Sequence, residues 1–141
     1  MVEKFYLSLP VKDVARSRAF FAALGHTFDP QFTGDGAACL VMTDTVSVML
    51  VPHARYSELS AKPIADTQKT SAGLIAINLR SRAEVDAHLD AAVKAGGTEA
   101  HGREDMGFMY MGGFYDLDGH GWGIHWMDPD AAMPAAQEET A

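Results

Sequence analysis

Apolar and polar residues alternate from Phe5 to Val11, the two-residue period of a strand with one buried side. Phe5, Leu7, Leu9 and Val11 share one face, and Tyr6 and Ser8 share the other. Pro10 lies near the strand end, where a missing N–H is tolerated. Asp13 is a good N-cap. It opens a helix that carries Val14, Phe21 and Leu24 at helical spacing and stops at Gly25. Thr27 to Thr33 reads as a strand weakened by Pro30, followed by a turn at Gly34-Asp35-Gly36. Ala37 to Met42 and Val46 to Val51 flank Thr43-Asp44-Thr45 as a hairpin. In its second arm Val46, Val48 and Leu50 point one way, and Ser47, Met49 and Val51 the other. The polar segment His53 to Thr70, with Pro63, is a connection with room for a short helix near Tyr56 to Leu59.

The same order then returns. Ile75, Ile77 and Leu79 share one strand face, and Leu74, Ala76 and Asn78 the other. Ser81-Arg82-Ala83-Glu84 has the form of a capping box. The helix behind it carries Val85, Leu89, Ala92 and Val93 on one stripe and ends at Gly96-Gly97. Thr98 to Arg103, Phe108 to Tyr115 and Gly121 to Met127 supply three more strands. Each half therefore reads β-α-β-β-β. The helix-ending glycines Gly25 and Gly96 are 71 residues apart, and the last-hairpin turns near Asp44 and Asp118 are 74 apart, which marks an internal repeat. The expected class is α+β: two tandem βαβββ modules in one domain spanning 1–133. The first module covers about 4–52, the connection 53–70, and the second module about 71–129. Residues 134–141, rich in Ala, Gln, Glu and Thr, read as a disordered tail.

Composition narrows the function. With 48% hydrophobic residues the chain can bury a real core, and its net charge of −8 argues against a nucleic-acid or anionic-membrane partner. No apolar run approaches the ~18 residues that span a bilayer, and Met1-Val2-Glu3-Lys4 lacks a signal-peptide pattern, so a cytoplasmic protein is expected. The single cysteine, Cys39, lies in an apolar run and reads as a buried structural thiol. No P-loop, dinucleotide fingerprint, H-E-x-x-H or G-x-S-x-G sequence is present.

The most informative stretch is Tyr115 to Pro129, Y-D-L-D-G-H-G-W-G-I-H-W-M-D-P. Asp116-Leu117-Asp118-Gly119 is a turn. After it Trp122, Ile124 and Trp126 form a heavy apolar face, and Gly121, Gly123, His125 and Met127 a lighter one. An Asp-Leu-Asp-Gly-His turn before a Trp-containing last strand, on paired βαβββ modules, resembles the vicinal oxygen chelate (VOC) superfamily of glyoxalases, bleomycin resistance proteins and extradiol dioxygenases. The resemblance covers about Lys4 to Pro129. It implies an incomplete, barrel-like groove and a homodimer.

Each helix must bury its stripe against a sheet, which leaves the opposite sheet faces to line a concave surface. By alternation the groove residues are Tyr6, Ser8, Ser47, Met49, Leu74, Ala76, Asn78, Gly121, Gly123 and His125. Met109 and Met111 join them if the parity of their strand allows. This small, mostly apolar mix with a few polar groups suits an organic ligand. Metal-dependent members of the superfamily hold their ion at four front-face positions. The resemblance places these at Tyr6, Met49, Leu74 and Gly123, none of them a usual ligand for a hard cation. The family pattern D-x-D-G-H-x-W-E ends here in Gly123. No cofactor is therefore expected, with a divalent metal the minor alternative. His125 is the candidate catalytic residue, because it is ionisable near neutral pH and on the groove side. A displaced site can be drawn from His125, His101 and Glu104, although alternation alone does not bring them together. His26, His53 and His88 read as surface or loop residues, and His120 as a turn residue. The leading expectation is a metal-free binder of a small organic ligand. The alternatives are a metal-dependent lyase or dioxygenase with displaced ligands, and a structural or interaction module.

Overall fold

The computed structural model describes residues 1–131, so the 134–141 tail lies outside the described residues. In chain order the elements are β1 (Phe5–Val11), α1 (Val14–Ala23), β2 (Thr27–Phe28), a 3-10 turn (Pro30–Phe32), β3 (Ala38–Val41), β4 (Val46–Pro52), α2 (His53–Leu59), β5 (Leu74–Asn78), α3 (Arg82–Lys94), β6 (Thr98–Glu99), β7 (Glu104–Asp105), β8 (Met109–Tyr115) and β9 (Gly121–Met127). They form two open sheets, ordered β1-β4-β3-β2 and β5-β9-β8-β6, with β7 also paired to β8. In each, the module's first and last strands run parallel, β1 with β4 and β5 with β9. The class is α+β with two repeated modules, as the repeat implied: the first is βαβββ, and the second adds one short strand, β7.

The caps explain where the helices begin. The Asp13 carboxylate accepts from the Arg16 N–H at 3.1 Å. The Ser81 hydroxyl accepts from the Glu84 N–H at 3.1 Å, while Glu84 reaches back to the Arg80 N–H at 2.9 Å. Two expected strands are cut short. Thr27 to Thr33 keeps only β2, because Pro30 has no N–H and Asp29 caps a 3-10 turn by accepting from the Gln31 N–H at 2.9 Å. Thr98 to Arg103 keeps only β6, and a further short strand, β7, follows it; the two meet β8 on either side of a bend at His101. The 53–70 connection opens with a full helix, α2, longer than the expected Tyr56 to Leu59.

Helices α1 and α3 face the same core. Phe20 and Phe21 of α1 reach across the module boundary to Phe114 and Trp122, with ring centroids 5.9 and 5.1 Å apart. Val11, Leu40, Val48 and Leu50 of the first sheet and Val85, Leu89, Phe114 and Ile124 of the second module belong to one buried cluster. The apolar sheet faces are thus turned inward onto a shared core, and the opposite faces are turned away from it.

Arg103, behind the bend, binds three carboxylates: Asp86 at 2.7 Å and Asp90 at 2.6 Å on α3, and Glu99 at 2.9 Å on β6. The Tyr110 hydroxyl also donates to Asp86 at 2.7 Å. This bond, and then Arg103, hold the Asp86 carboxyl below its ordinary range. Arg103→Met should leave three acids facing one another and cost about 1 kcal/mol, a modest figure because the pairs are part-exposed. Melting curves at rising NaCl test this: the gap to the parent protein should narrow as salt screens the repulsion.

Candidate functional site

Strand register fixes what each outward face presents. On the first sheet Tyr6, Ser47 and Val41 form one row, and Ser8, Met49 and Cys39 the next. Ser47 and Cys39 are buried and Tyr6 is exposed. A cavity of about 640 Å³ opens in front of this sheet. Ser8, Met49 and Val51 line it from the strands, and Arg55, Glu58 and Leu59 from α2. The Arg55–Glu58 pair at 2.7 Å is well exposed and carries little energy. Of the expected groove residues, Ser8 and Met49 therefore share one cavity.

On the second sheet the rows are Leu74–Gly121–Tyr115–Thr98, Ala76–Gly123–Gly113 and Asn78–His125–Met111–Glu104, with Met109 beside Met127. This settles the parity of β8: Met109 and Met111 lie on the face of His125. Leu74 is 77% exposed, and Ala76 and Asn78 are exposed too. A Cβ added at Gly123 would meet nothing nearer than Ala76 at 4.0 Å, so the middle row is a flat shelf. A second, polar cavity of about 540 Å³ lies at one end of this face, between Tyr115 and Gly121 and the connecting segment Thr67 to Gly73.

Each proposed metal position can now be placed. Tyr6 and Leu74 are exposed, and Met49 and Gly123 half-buried. A phenol, a thioether, an isobutyl group and a bare glycine do not fit a hard divalent cation. Nor does the displaced set assemble. Glu104 shares the His125 row, but Met111 stands between them. The exposed His101 ring lies against the Gly102 carbonyl at 3.3 Å. Among the described residues no three His, Cys, Asp or Glu side chains form a group that could hold a metal.

Two histidines depart from the surface and loop places expected of them. His88 is buried, and its Nε2 lies 2.9 Å from that of the half-buried His26. The two rings join the end of α1 to α3. His88 Nδ1 is buried with no partner among the described residues. Burial, then the His26 neighbour, hold the His88 pKa down to about 4, and burial lowers His26 as well. His120 does sit in the turn, but buried, with its Nε2–H donating to the Pro10 carbonyl at 2.7 Å.

The turn that carries the resemblance is a strut. Asp116 accepts from the Asp118 N–H at 2.9 Å, the His120 N–H at 3.0 Å and the Trp122 Nε1–H at 3.0 Å. Burial nonetheless holds its carboxyl above the ordinary aspartate range, against the pull of His120 and these donors. Asp118 accepts from the Lys12 N–H at 2.7 Å and the Ser17 hydroxyl at 3.3 Å, both in the first module. The Thr67 hydroxyl donates to the Asp118 carbonyl at 2.6 Å, and the Gln68 amide to the Leu117 carbonyl at 3.1 Å. One five-residue turn so ties the first module, the connection and the second module together.

Residues 5–42 match a family model described as bleomycin resistance protein-like N-terminal. Solved structures agree over far more of the chain. A glyoxalase/bleomycin resistance protein/dioxygenase family enzyme from Burkholderia phytofirmans PsJN superposes with a TM-score of 0.71 at 16% identity, covering 86% of this chain and 96% of its own. The chain has the VOC fold. A glyoxalase-related enzyme from Fulvimarina pelagi gives a TM-score of 0.73 at 21% identity, over 89% of this chain and 88% of its own. The genomically encoded fosfomycin resistance protein of Listeria monocytogenes gives 0.60 at 17%, over 86% and 89%. No curated protein matches in sequence. The fold expected from the Asp-Leu-Asp-Gly-His turn and the paired modules is the one these structures share. No helix among the described residues is long and apolar enough to cross a membrane.

Proposed function

We propose that this VOC-fold protein binds a small organic ligand in front of its first sheet, without a metal at the family's four positions. The cavity of about 640 Å³ over Ser8, Met49 and Val51 carries the reading, since it has the size and mixed lining of an organic-ligand pocket. The matched family and the Listeria neighbour are both named for antibiotic resistance, which supports a small-molecule ligand. Tyr6 and Ser47 share the first sheet's outward face, and Leu74, Asn78, Gly123, His125, Met109 and Met111 face outward on the second sheet. A groove that uses both faces needs a second copy. The exposed Phe5, Tyr6 and Leu74 on the edge strands β1 and β5 support a homodimer that covers them.

Calorimetric titration against planar and amphipathic compounds tests the ligand, and sedimentation tests the dimer. A ligand at 100 times its Kd should stabilise the fold by about 2.7 kcal/mol. Met49→Trp, which fills the cavity, should abolish that gain while the unliganded protein still melts cooperatively. Binding that survives Met49→Trp, or no binding across the panel, would overturn the cavity as the site. The metal-dependent lyase or dioxygenase reading has only His125 to build on, and the row neighbours of His125 are Asn78 and Met111.

A further inference from the structure

The pairing of β8 with β9 sets Met111 opposite His125 and Met109 opposite Met127. Directly paired residues of an antiparallel ladder, and residues two apart on a strand, point to one face. Three thioethers and one imidazole therefore form a two-by-two patch on the outward face of the second sheet. All four are half-buried. His125 makes no side-chain hydrogen bond to the described residues, whereas the rings of His26, His88 and His120 are all engaged.

From this juxtaposition we infer that Met109, Met111, His125 and Met127 form a binding site for a soft monovalent cation, Cu(I). Thioether sulfur is a neutral, polarizable donor that selects Cu(I) over hard divalent ions, and imidazole also suits copper. Cross-strand Cβ atoms about 5 Å apart lie within reach of one ion for side chains as long and flexible as methionine. Four neutral ligands leave the ion's single charge in place, and Glu104, paired with Met111 on its far side, supplies a nearby carboxylate. The patch includes none of the four VOC positions, although His125 and Met127 share β9 with Gly123, and it selects a different kind of ion. It lies apart from the first-sheet cavity, although a two-copy groove would share its face, so the test reads copper uptake, which the organic ligand does not report.

The test offers Cu(I) as its bicinchoninate complex, in ascorbate without oxygen. The full chain should withdraw one equivalent and bleach the complex. Met109→Leu/Met111→Leu/Met127→Leu nearly conserves side-chain volume, so it keeps the core-facing side of the sheet unchanged. It should hold copper at least tenfold less well, as should His125→Leu, while Cys39→Ser withdraws copper like the parent. Ag(I), a redox-inert probe, should shift the methyl NMR signals of Met109, Met111 and Met127 and leave those of Met42 and Met49 in place. Copper left with the chelator, equal uptake by the triple variant, loss of uptake in Cys39→Ser, or a silver response spread over all eight methionines of the chain would each overturn the site.

Discussion

Gly119→Ala is expected to destabilise the protein by roughly 3–4 kcal/mol. Gly119 has φ +83°, a left-handed conformation that costs an alanine about 1–2 kcal/mol. The new Cβ would also run into the Thr67 carbonyl oxygen, with the carbonyl carbon at 2.7 Å and the Gln68 nitrogen at 3.0 Å. These are backbone atoms, so relief requires the connection to lift off the turn. Lifting breaks the Thr67–Asp118 and Gln68–Leu117 hydrogen bonds, worth about 1 kcal/mol each. Gly25→Ala is the control. Its φ is +95°, but nothing lies within 4 Å of the added Cβ, so it carries the conformational cost alone. Urea unfolding should show the Gly119→Ala midpoint well below that of Gly25→Ala at an unchanged slope. Equal midpoints would mean that the turn and the connection are not in tight contact.

What the sequence made legible was local. The strand parities of β1, β4, β5 and β9 and the Asp13 and Ser81 caps depend on neighbours a few residues apart, and pattern reading reaches that far; the internal repeat is that local pattern met twice. The lost pieces were set by distant partners. β6 and β7 are short because β8 and the Arg103 cluster decide where they pair. The turn at Asp116 could be read as a turn, but Asp118 grips Lys12 and Ser17, which are 106 and 101 residues away. The face of Met109 and Met111 needed the β8–β9 register, because Gly112 and Gly113 blank out the alternation in that strand. Strand alternation names the expected groove residues but not which of them share one surface. These residues lie on two outward faces, because Phe20 and Phe21 draw both inner faces onto one core. For His88 a signal was present: it stands three residues after Val85 and four before Ala92, on the stripe that α3 buries.

That buried position makes His88 the source of an acid-sensitive loss of stability. Its folded pKa of about 4 lies below the ordinary histidine value of 6.5, so the unfolded chain takes up a proton that the folded chain refuses. The stabilisation is complete above pH 6.5 and falls as the pH drops toward 4. A shift of this size removes about 2 kcal/mol between pH 7.5 and pH 5. The cause is geometric. His88 sits against Phe114 with its Nε2 on His26, and its buried Nδ1 has no acceptor among the described residues, so protonation adds an N–H with nothing there to take it. His26, lowered in the same direction by burial, adds to the loss. Asp116 works the other way. Its raised pKa lets the folded chain take up a proton more readily, which offsets part of the decline at the acid end. Comparison with His88→Leu removes that offset, since Asp116 is common to both proteins. Unfolding free energies measured across this range should fall more steeply for the parent than for His88→Leu, by about 2 kcal/mol over the interval. The variant also loses the orphaned nitrogen, so at pH 7.5 it should stay within about 1 kcal/mol of the parent. Parallel stability curves would place the acid sensitivity elsewhere and leave the His26–His88 contact a neutral packing feature of the module boundary.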